Sequence, residues 1–222
     1  MKPKIFIDPG HGGTDPGAAA HGILEKDLNL MVSRELSSLL NLSTYEVMLS
    51  RSTDVAVSLK ARTDIATKWG ADILLSIHHN AFSNPVANGY EIYYQLFRAL
   101  FKDDSFRLAS KIYEQLGNTF SPDLQPRGLK HRESSKGGEW YHILRETNCP
   151  AIIVECGFLT SPGDINTMKK ADFPRKQALA IANAIDKYYF NKELLPFSED
   201  AKTKESFLVE LKMLLSSYEG II

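Results

Sequence analysis

The chain has 222 residues, which suits one catalytic-size domain with an appendage and is short for two full domains. Its hydrophobic (43%) and charged (24%) fractions are those of a globular protein and exclude a disordered chain. A formal net charge of −1 excludes binding driven by a strongly basic overall charge, so we expect no nucleic-acid partner.

Several further classes of protein are excluded by short sequence features. No stretch of ~18 apolar residues occurs, so we expect no membrane span. The apolar run 5–7 near the N-terminus is too short for a secretory signal peptide. The protein is therefore expected to work inside a cell, to leave by another route, or to have lost a signal by trimming. Two cysteines, Cys149 and Cys156, are too few for a disulfide scaffold.

Short apolar runs alternate with segments of helical periodicity along most of the chain. Ser58 is suited to cap the start of one helix, and Gly70 is suited to stop it. In chain order the pattern predicts a strand at 5–7, a helix at 26–40, a strand at 45–49, a helix at 58–70, strands at 73–77 and 91–94, a helix at 103–116, a strand at 151–154 and a helix at 175–189.

This alternation predicts a single α/β domain at 1–190, with a mixed, mostly parallel sheet flanked by helices on both faces. The strand runs are uniformly apolar, as a sheet covered on both faces requires. Functional groups in such folds gather beyond the carboxyl ends of the strands. Three polar clusters stand at these positions, namely 8–13, 78–80 and Glu155.

Residues 191–222 differ from the rest of the chain. Residues 194–198 read as a linker, and the apolar residues between Phe207 and Tyr218 recur at helical spacing. We expect an amphipathic helix docked on the domain. The alternatives are a contact that forms a dimer and the stub of a missing binding module.

Ligand-type residues suggest a metal site. His11 lies between glycines in the loop after the first strand, and His78 and His79 end another strand. Neighbouring side chains on a strand point to opposite faces, so only one of these two histidines is expected to join His11. Glu25 offers a carboxylate, and two histidines with one glutamate are a hydrolytic zinc set. The spacing matches no short metal motif, so an incidental loop histidine stays open as the alternative.

Glu155 ends a strongly apolar strand, where burying a carboxylate costs free energy unless the group has a functional role or a hydrogen-bonding partner. Partial burial would raise its pKa and suit it to general base and acid work beside a metal. The alternative is a structural ion pair. A nucleophilic role for Cys156 is disfavoured because no basic residue adjoins it, and both cysteines are expected to be packed.

Four segments together resemble a known family. They are Asp8-Pro9-Gly10-His11-Gly12-Gly13, Leu24-Glu25-Lys26-Asp27, Ser76-Ile77-His78-His79-Asn80-Ala81 and Val154-Glu155-Cys156-Gly157-Phe158-Leu159. Their order and spacing resemble the zinc-dependent N-acetylmuramoyl-L-alanine amidases of the amidase-3 type, found in autolysins and phage endolysins. The resemblance covers roughly 4–190. The segment 130–141 departs from the family pattern in being longer and more polar.

The resemblance implies a role for each matched residue. His11, Glu25 and His78 would hold Zn²⁺, which leaves His79 out of the ligand set, and Glu155 would be the catalytic residue. Asn80 and Arg127 could contact the substrate, with structural roles as the alternative. Asp8 could orient a ligand histidine or could be a turn residue.

The implied reaction is hydrolysis of the amide bond between N-acetylmuramic acid and L-alanine in peptidoglycan. The protein would act on the cell wall, and the missing signal peptide favours a phage-type lysin or a trimmed secreted protein. Two alternatives stay open: another zinc hydrolase, such as a peptidase or deacetylase, and a non-catalytic wall-binding module.

Overall fold

The structure, a computed structural model, describes residues 1–41 and 45–191. The first half of this part contains β1 (Lys4–Pro9), β2 (Ala19–Ala20), β3 (Ile23–Leu24), α1 (Glu25–Asn41), β4 (Glu46–Leu49), α2 (Leu59–Trp69) and β5 (Ile73–Asn80). The second half contains β6 (Tyr90–Tyr94), α3 (Lys102–Phe120), β7 (Pro126–Lys130), α4 (His142–Glu146), β8 (Ala151–Phe158), α5 (Pro162–Met168) and α6 (Phe173–Phe190).

Six of the described strands form one sheet in the order β4-β1-β5-β8-β6-β7. The neighbours from β4 to β8 all run parallel, β6 runs antiparallel to β8, and β7 runs parallel to β6. The predicted mixed, mostly parallel sheet is confirmed. Because β1, β5 and β8 are parallel neighbours, their carboxyl ends meet at one edge of the sheet, which we call the carboxyl-terminal edge.

Helices cover both faces of the sheet, as predicted. One face packs against α1, α3 and α6 through apolar side chains such as Ile7, Leu75 and Val154. The opposite face carries Phe6 and Leu74 and packs against α2 and α4. Side chains alternate between the faces along each strand, so residues that are neighbours in sequence at the carboxyl-terminal edge point to opposite sides of the sheet.

Local sequence signals place both ends of α2 correctly. The hydroxyl of Ser58 accepts a hydrogen bond from the backbone N–H of Ala61, and Gly70 ends α2 in the left-handed conformation at φ 76°. Strands β5 and β8 run further than their apolar runs predicted. His78 and Glu155 therefore lie within strands and are held by strand pairing, whereas the sequence had placed them at the strand ends.

The predicted C-terminal linker, helix and dimer contact fall on 192–222, outside the described residues. The last described residue, Asn191, caps α6 in the left-handed conformation at φ 55°. None of the described helices is both long enough and apolar enough to cross a membrane.

Candidate active site

Three side chains from separate parts of the chain meet at the carboxyl-terminal edge. His11 Nε2 lies 3.1 Å from Glu25 Oε1, and His78 Nδ1 lies 2.9 Å from the same oxygen. One donor atom from each residue lies within 4.8 Å of the other two. Two imidazole nitrogens and a carboxylate oxygen around a common point form a donor set that suits zinc in hydrolytic enzymes.

The loop after β1 brings His11 to this point. Its backbone has φ 61°, which is uncommon for a residue other than glycine. Gly12 and Asp15 exchange two backbone hydrogen bonds of 2.9 and 3.1 Å, which close the loop into a tight turn. The carboxylate of Asp15 then lies 2.8 Å from His11 Nδ1 and orients the ring, so that Nε2 faces Glu25.

Glu25 is the first residue of α1, and it is buried. Its Oε2 atom accepts a hydrogen bond of 2.9 Å from the backbone N–H of Ala18, and the side-chain amide of Asn29 donates to Oε1 at 3.3 Å. Burial acts to raise the pKa of Glu25, but its hydrogen bonds with His11 and His78 outweigh burial and hold that pKa below its ordinary value. Glu25 is therefore an ionised carboxylate between two imidazoles.

Gly10 leaves the space that the His78 ring occupies. A Cβ atom added to Gly10 would lie 2.2 to 2.6 Å from three atoms of the imidazole, far closer than a van der Waals contact. The glycine before His11 is thus required by the close approach of β1 and β5.

His79 points away from this cluster. Its Nδ1 atom lies 2.7 Å from Asn29 Oδ1, and its Nε2 atom lies 2.9 Å from Gln177 Oε1. Burial lowers the pKa of His79 to about 4, so the ring is neutral at pH 7. The expectation that only one of the two adjacent histidines joins His11 agrees with this geometry: His78 faces Glu25, and His79 is a buried contact between β5 and α6.

A row of polar side chains crosses the sheet beside the cluster. His78 of β5 is paired with Glu155 of β8, which is paired in turn with Glu91 of β6. Glu155 Oε2 is buried and has no hydrogen-bond partner among the described residues. Burial, together with the negative charges of Glu25 and Glu91, raises the pKa of Glu155 well above its ordinary value. An unpartnered buried carboxylate oxygen beside a metal-type donor set is available for chemistry.

Glu91 is the residue of this row that sequence reasoning missed. It is buried, and its carboxylate accepts hydrogen bonds from Asn80 (3.0 Å), Tyr93 (3.0 Å), Arg127 (2.7 Å) and Lys130 (2.5 Å). Burial acts to raise the pKa of Glu91, but these donors, Lys130 foremost, hold it below its ordinary value. A sequence signal for Glu91 was nevertheless present, because this carboxylate stands in an apolar strand just as Glu155 does.

The two residues expected to contact substrate therefore share one partner. Asn80 and Arg127 both bind Glu91, and Arg127 also lies over the ring of Phe158, with its guanidinium carbon 4.8 Å from the ring centroid. This places both side chains beside Glu155. Their structural role is visible in these contacts, and their contact with substrate remains a prediction.

The carboxylate of Asp8 forms its hydrogen bonds with residues other than His11 and His78. Its carboxylate accepts from the hydroxyls of Ser50 and Ser76 and pairs with the buried guanidinium of Arg62 at 2.5 Å. Arg62 also donates to the backbone oxygen of His11 at 2.7 Å. Asp8 thus supports the loop through Arg62, and the carboxylate that orients a histidine is Asp15.

Both cysteines are free and buried, as expected for packed residues. Burial raises the pKa of Cys149 to about 12 and that of Cys156 well above its ordinary value. Neither thiol is primed as a nucleophile, which agrees with the interpretation of Cys156 as a packing residue.

Comparison with known proteins identifies the family. Residues 5–187 match the family model described as N-acetylmuramoyl-L-alanine amidase. The chain belongs to this family. It is 37% identical over 194 residues to the N-acetylmuramoyl-L-alanine amidase CwlM of Bacillus licheniformis, covering 82% of this chain and 67% of CwlM. It is 36% identical over 186 residues to the amidase LytC of Bacillus subtilis, covering 83% of this chain but 35% of LytC, so the likeness spans about a third of that relative.

A solved structure supports the same assignment. The catalytic domain of CwlV, an N-acetylmuramoyl-L-alanine amidase from Bacillus (Paenibacillus) polymyxa, superposes with a TM-score of 0.74 at 30% identity. The match covers 84% of this chain and 97% of that domain. The resemblance predicted from the four sequence segments is confirmed at the level of family and fold.

Proposed function

We propose that this protein hydrolyses the amide bond between N-acetylmuramic acid and L-alanine in peptidoglycan, and that it does so with zinc. The observation that carries the proposal is the cross-sheet row. In this row Glu155, whose buried Oε2 atom has no hydrogen-bond partner among the described residues, lies opposite His78 of the His11–Glu25–His78 cluster. Membership of the amidase family supports the bond that is cut.

The residues present fit a zinc ion. The side chains of His11, Glu25 and His78 would hold it. Asp15 fixes the orientation of His11, and Ala18 and Asn29 fix the carboxylate of Glu25. When bound, zinc polarises the scissile carbonyl and makes a water molecule more acidic.

Glu155 performs the proton transfers of this mechanism. Its carboxylate accepts a proton from the attacking water as the water oxygen bonds to the amide carbon. The same carboxyl group then gives the proton to the amide nitrogen as the C–N bond breaks. The products are the carboxyl group of the muramic acid and a peptide with a free L-alanine amino terminus.

The experiment is to incubate purified peptidoglycan with the protein and to identify new amino termini. We expect free L-alanine amino termini with intact glycan strands, loss of this release with a chelator, and its return when Zn²⁺ is added. A new terminus other than L-alanine would indicate a peptidase, and release of acetate would indicate a deacetylase. Binding to the wall without any release would indicate a non-catalytic module.

We also propose that the protein acts at the cell wall, where this substrate is found. A dimer contact through 207–218 remains a prediction that sedimentation of the full chain can test.

A further inference from the structure

The segment 51–54, to which the proposed mechanism gives no role, lies against the loop 10–13 that carries His11, which we call the His11 loop. This segment follows β4, and the parallel pairing of β4 with β1 puts the carboxyl ends of the two strands side by side. The His11 loop leaves β1 at the same place. A Cβ atom added to Gly12 would lie 2.8 Å from Arg51 Nε, which shows how closely the segment and the loop pack.

Arg51 binds backbone oxygens of two separate parts of the chain. Its side chain is buried. Nε donates to the backbone oxygen of Pro9 at 3.0 Å, and Nη2 donates to that of Gly10 at 2.9 Å. Nη2 also donates to the backbone oxygen of Lys26 at 2.8 Å. One planar guanidinium group thus ties the end of β1 and the start of the His11 loop to the first turn of α1.

Asp54 ties the same two parts together from the solvent side. Its Oδ1 atom accepts a hydrogen bond of 2.7 Å from the backbone N–H of Gly13, and its Oδ2 atom pairs with Lys26 Nζ at 2.7 Å. Lys26 Nζ also donates to the backbone oxygen of Gly13 at 2.8 Å. Asp54 and Lys26 therefore hold the far end of the His11 loop onto α1.

The His11 loop needs such support because of its backbone. His11 has φ 61°, a conformation that a residue other than glycine keeps only where its surroundings hold it. Within the described part of the chain, the hydrogen bonds of Arg51 all go to backbone oxygens, the fourth being that of Thr53 at 3.2 Å. Arg51 therefore fixes the positions of these oxygens and does not neutralise a bonded carboxylate.

We propose that Arg51 and Asp54 are positioning residues that set the separation of His11 and Glu25 before a metal ion binds. Together they tie the loop that carries His11 to the helical turn that carries Glu25 at two points. This inference rests on the proposed zinc function of the cluster. It predicts that loosening either tie weakens zinc binding in a protein that still folds, because ordering the loop then opposes binding.

The test measures the zinc affinity of Arg51→Lys and Asp54→Ala by competition with a chromophoric chelator, below the melting temperature of each metal-free protein. Arg51→Lys keeps the charge but has one nitrogen in place of the guanidinium fork, so it cannot bind all of these oxygens. We expect zinc affinity to fall about 10–100-fold, the range for residues that support metal ligands. Asp54→Ala removes a side chain that is 46% exposed, so the fold should be retained. Its zinc affinity should fall by about 10-fold, the lower end of the same range.

Tyr45→Phe is the matched control for a general loss of stability. Tyr45 precedes β4 at the opposite edge of the sheet, and its hydroxyl donates to Asp186 Oδ1 at 2.6 Å in the interior. Losing this hydrogen bond should lower the melting temperature and leave zinc affinity at the wild-type value.

The outcomes separate this inference from the proposed function. Wild-type zinc affinity in a folded Arg51→Lys or Asp54→Ala protein overturns the positioning role of that residue, and an equal loss of affinity in Tyr45→Phe overturns both roles. If Arg51→Lys does not fold, Asp54→Ala decides, because it loosens the same two parts of the chain. A wild-type protein that binds zinc but releases no L-alanine amino termini overturns the proposed hydrolysis and leaves the positioning roles standing.

Discussion

The adjacent pair His78 and His79 provides a sharp test, because the structure gives two neighbouring histidines opposite roles. His78→Ala removes an imidazole that faces Glu25 at the cluster. His79→Ala removes a ring that is 1% exposed and bound to Asn29 and Gln177. The first change should remove zinc and leave the fold, and the second should weaken the fold and leave zinc.

The sizes of the two effects follow from their surroundings. Both ring nitrogens of His79 face amide oxygens, and a neutral imidazole carries one N–H, so His79→Ala loses one buried hydrogen bond, worth about 1 kcal/mol. It also leaves a cavity beside Phe173 that adds about 1–2 kcal/mol. A total of about 2–3 kcal/mol lowers the melting temperature of a chain of this length by roughly 8 °C. His78→Ala removes one of three ligands, and we expect zinc affinity to fall by more than about 100-fold, beyond the range for loss of a supporting residue.

Zinc content by elemental analysis and melting curves of the chelator-treated proteins separate the two effects. In the metal-free state His78→Ala should melt near wild type, because its ring is partly exposed. His79→Ala should bind close to one zinc per chain below its melting temperature. A His78→Ala protein that retains zinc, together with a His79→Ala protein that loses it, would show that the assignment of the two histidines is reversed.

Other predictions concern the space at Gly10, the segment after α6 and the charge on Glu91. Gly10→Ala should displace the His78 ring and lower zinc affinity in a folded protein; unchanged affinity would contradict the close approach. If 207–218 forms a helix docked on the domain or a dimer contact, truncation after Phe190 should lower the melting temperature or change the sedimentation coefficient. If neither quantity changes, the segment is a dispensable tail. Glu91→Gln should lower the free energy of unfolding by about 2 kcal/mol at pH 7. This is less than the loss expected for a fully buried ion pair, because the cationic partners of Glu91 are one-third exposed to solvent. The pKa of Glu91 in the folded protein lies below the ordinary 4.5, so this stabilisation is present above pH 4.5 and is lost as the pH falls. In denaturant curves the difference in unfolding free energy between wild type and Glu91→Gln should therefore shrink in acid. A difference that grows in acid would contradict the lowered pKa.

The sequence predicted the sheet from strong local signals, and it predicted the metal-type cluster from polar residues at the strand ends together with the family resemblance. Apolar runs separated by helical periodicity specify a covered, mostly parallel sheet, and the strand ends then fall together. The alternation of side chains along β5 was enough to separate His78 from His79. The choice between them needed the family resemblance, because alternation alone does not say which face holds Glu25.

Other parts of the site depend on contacts between distant residues. Pro126–Lys130 forms an edge strand with a glycine and two basic residues, which lacks the apolar pattern of a central strand. Without that strand the sequence offered no partner for Glu91, and the network with Asn80 and Arg127 was not predicted. The role of Asp15 was missed for a related reason: the turn that brings it to His11 depends on the left-handed backbone of His11 and the hydrogen bonds of Gly12.

The most direct test of the central claim is the Glu155→Gln variant, assayed for zinc content, melting temperature and release of L-alanine amino termini from peptidoglycan. The change is nearly isosteric, and it removes the group that takes and returns the proton. We predict about one zinc per chain, a melting temperature close to wild type, and turnover lower by ~10²–10⁴-fold. Near-wild-type turnover in the zinc-loaded variant would contradict the assignment of Glu155. A lower melting temperature, with activity falling only in proportion to the folded fraction, would instead show that Glu155 holds the structure.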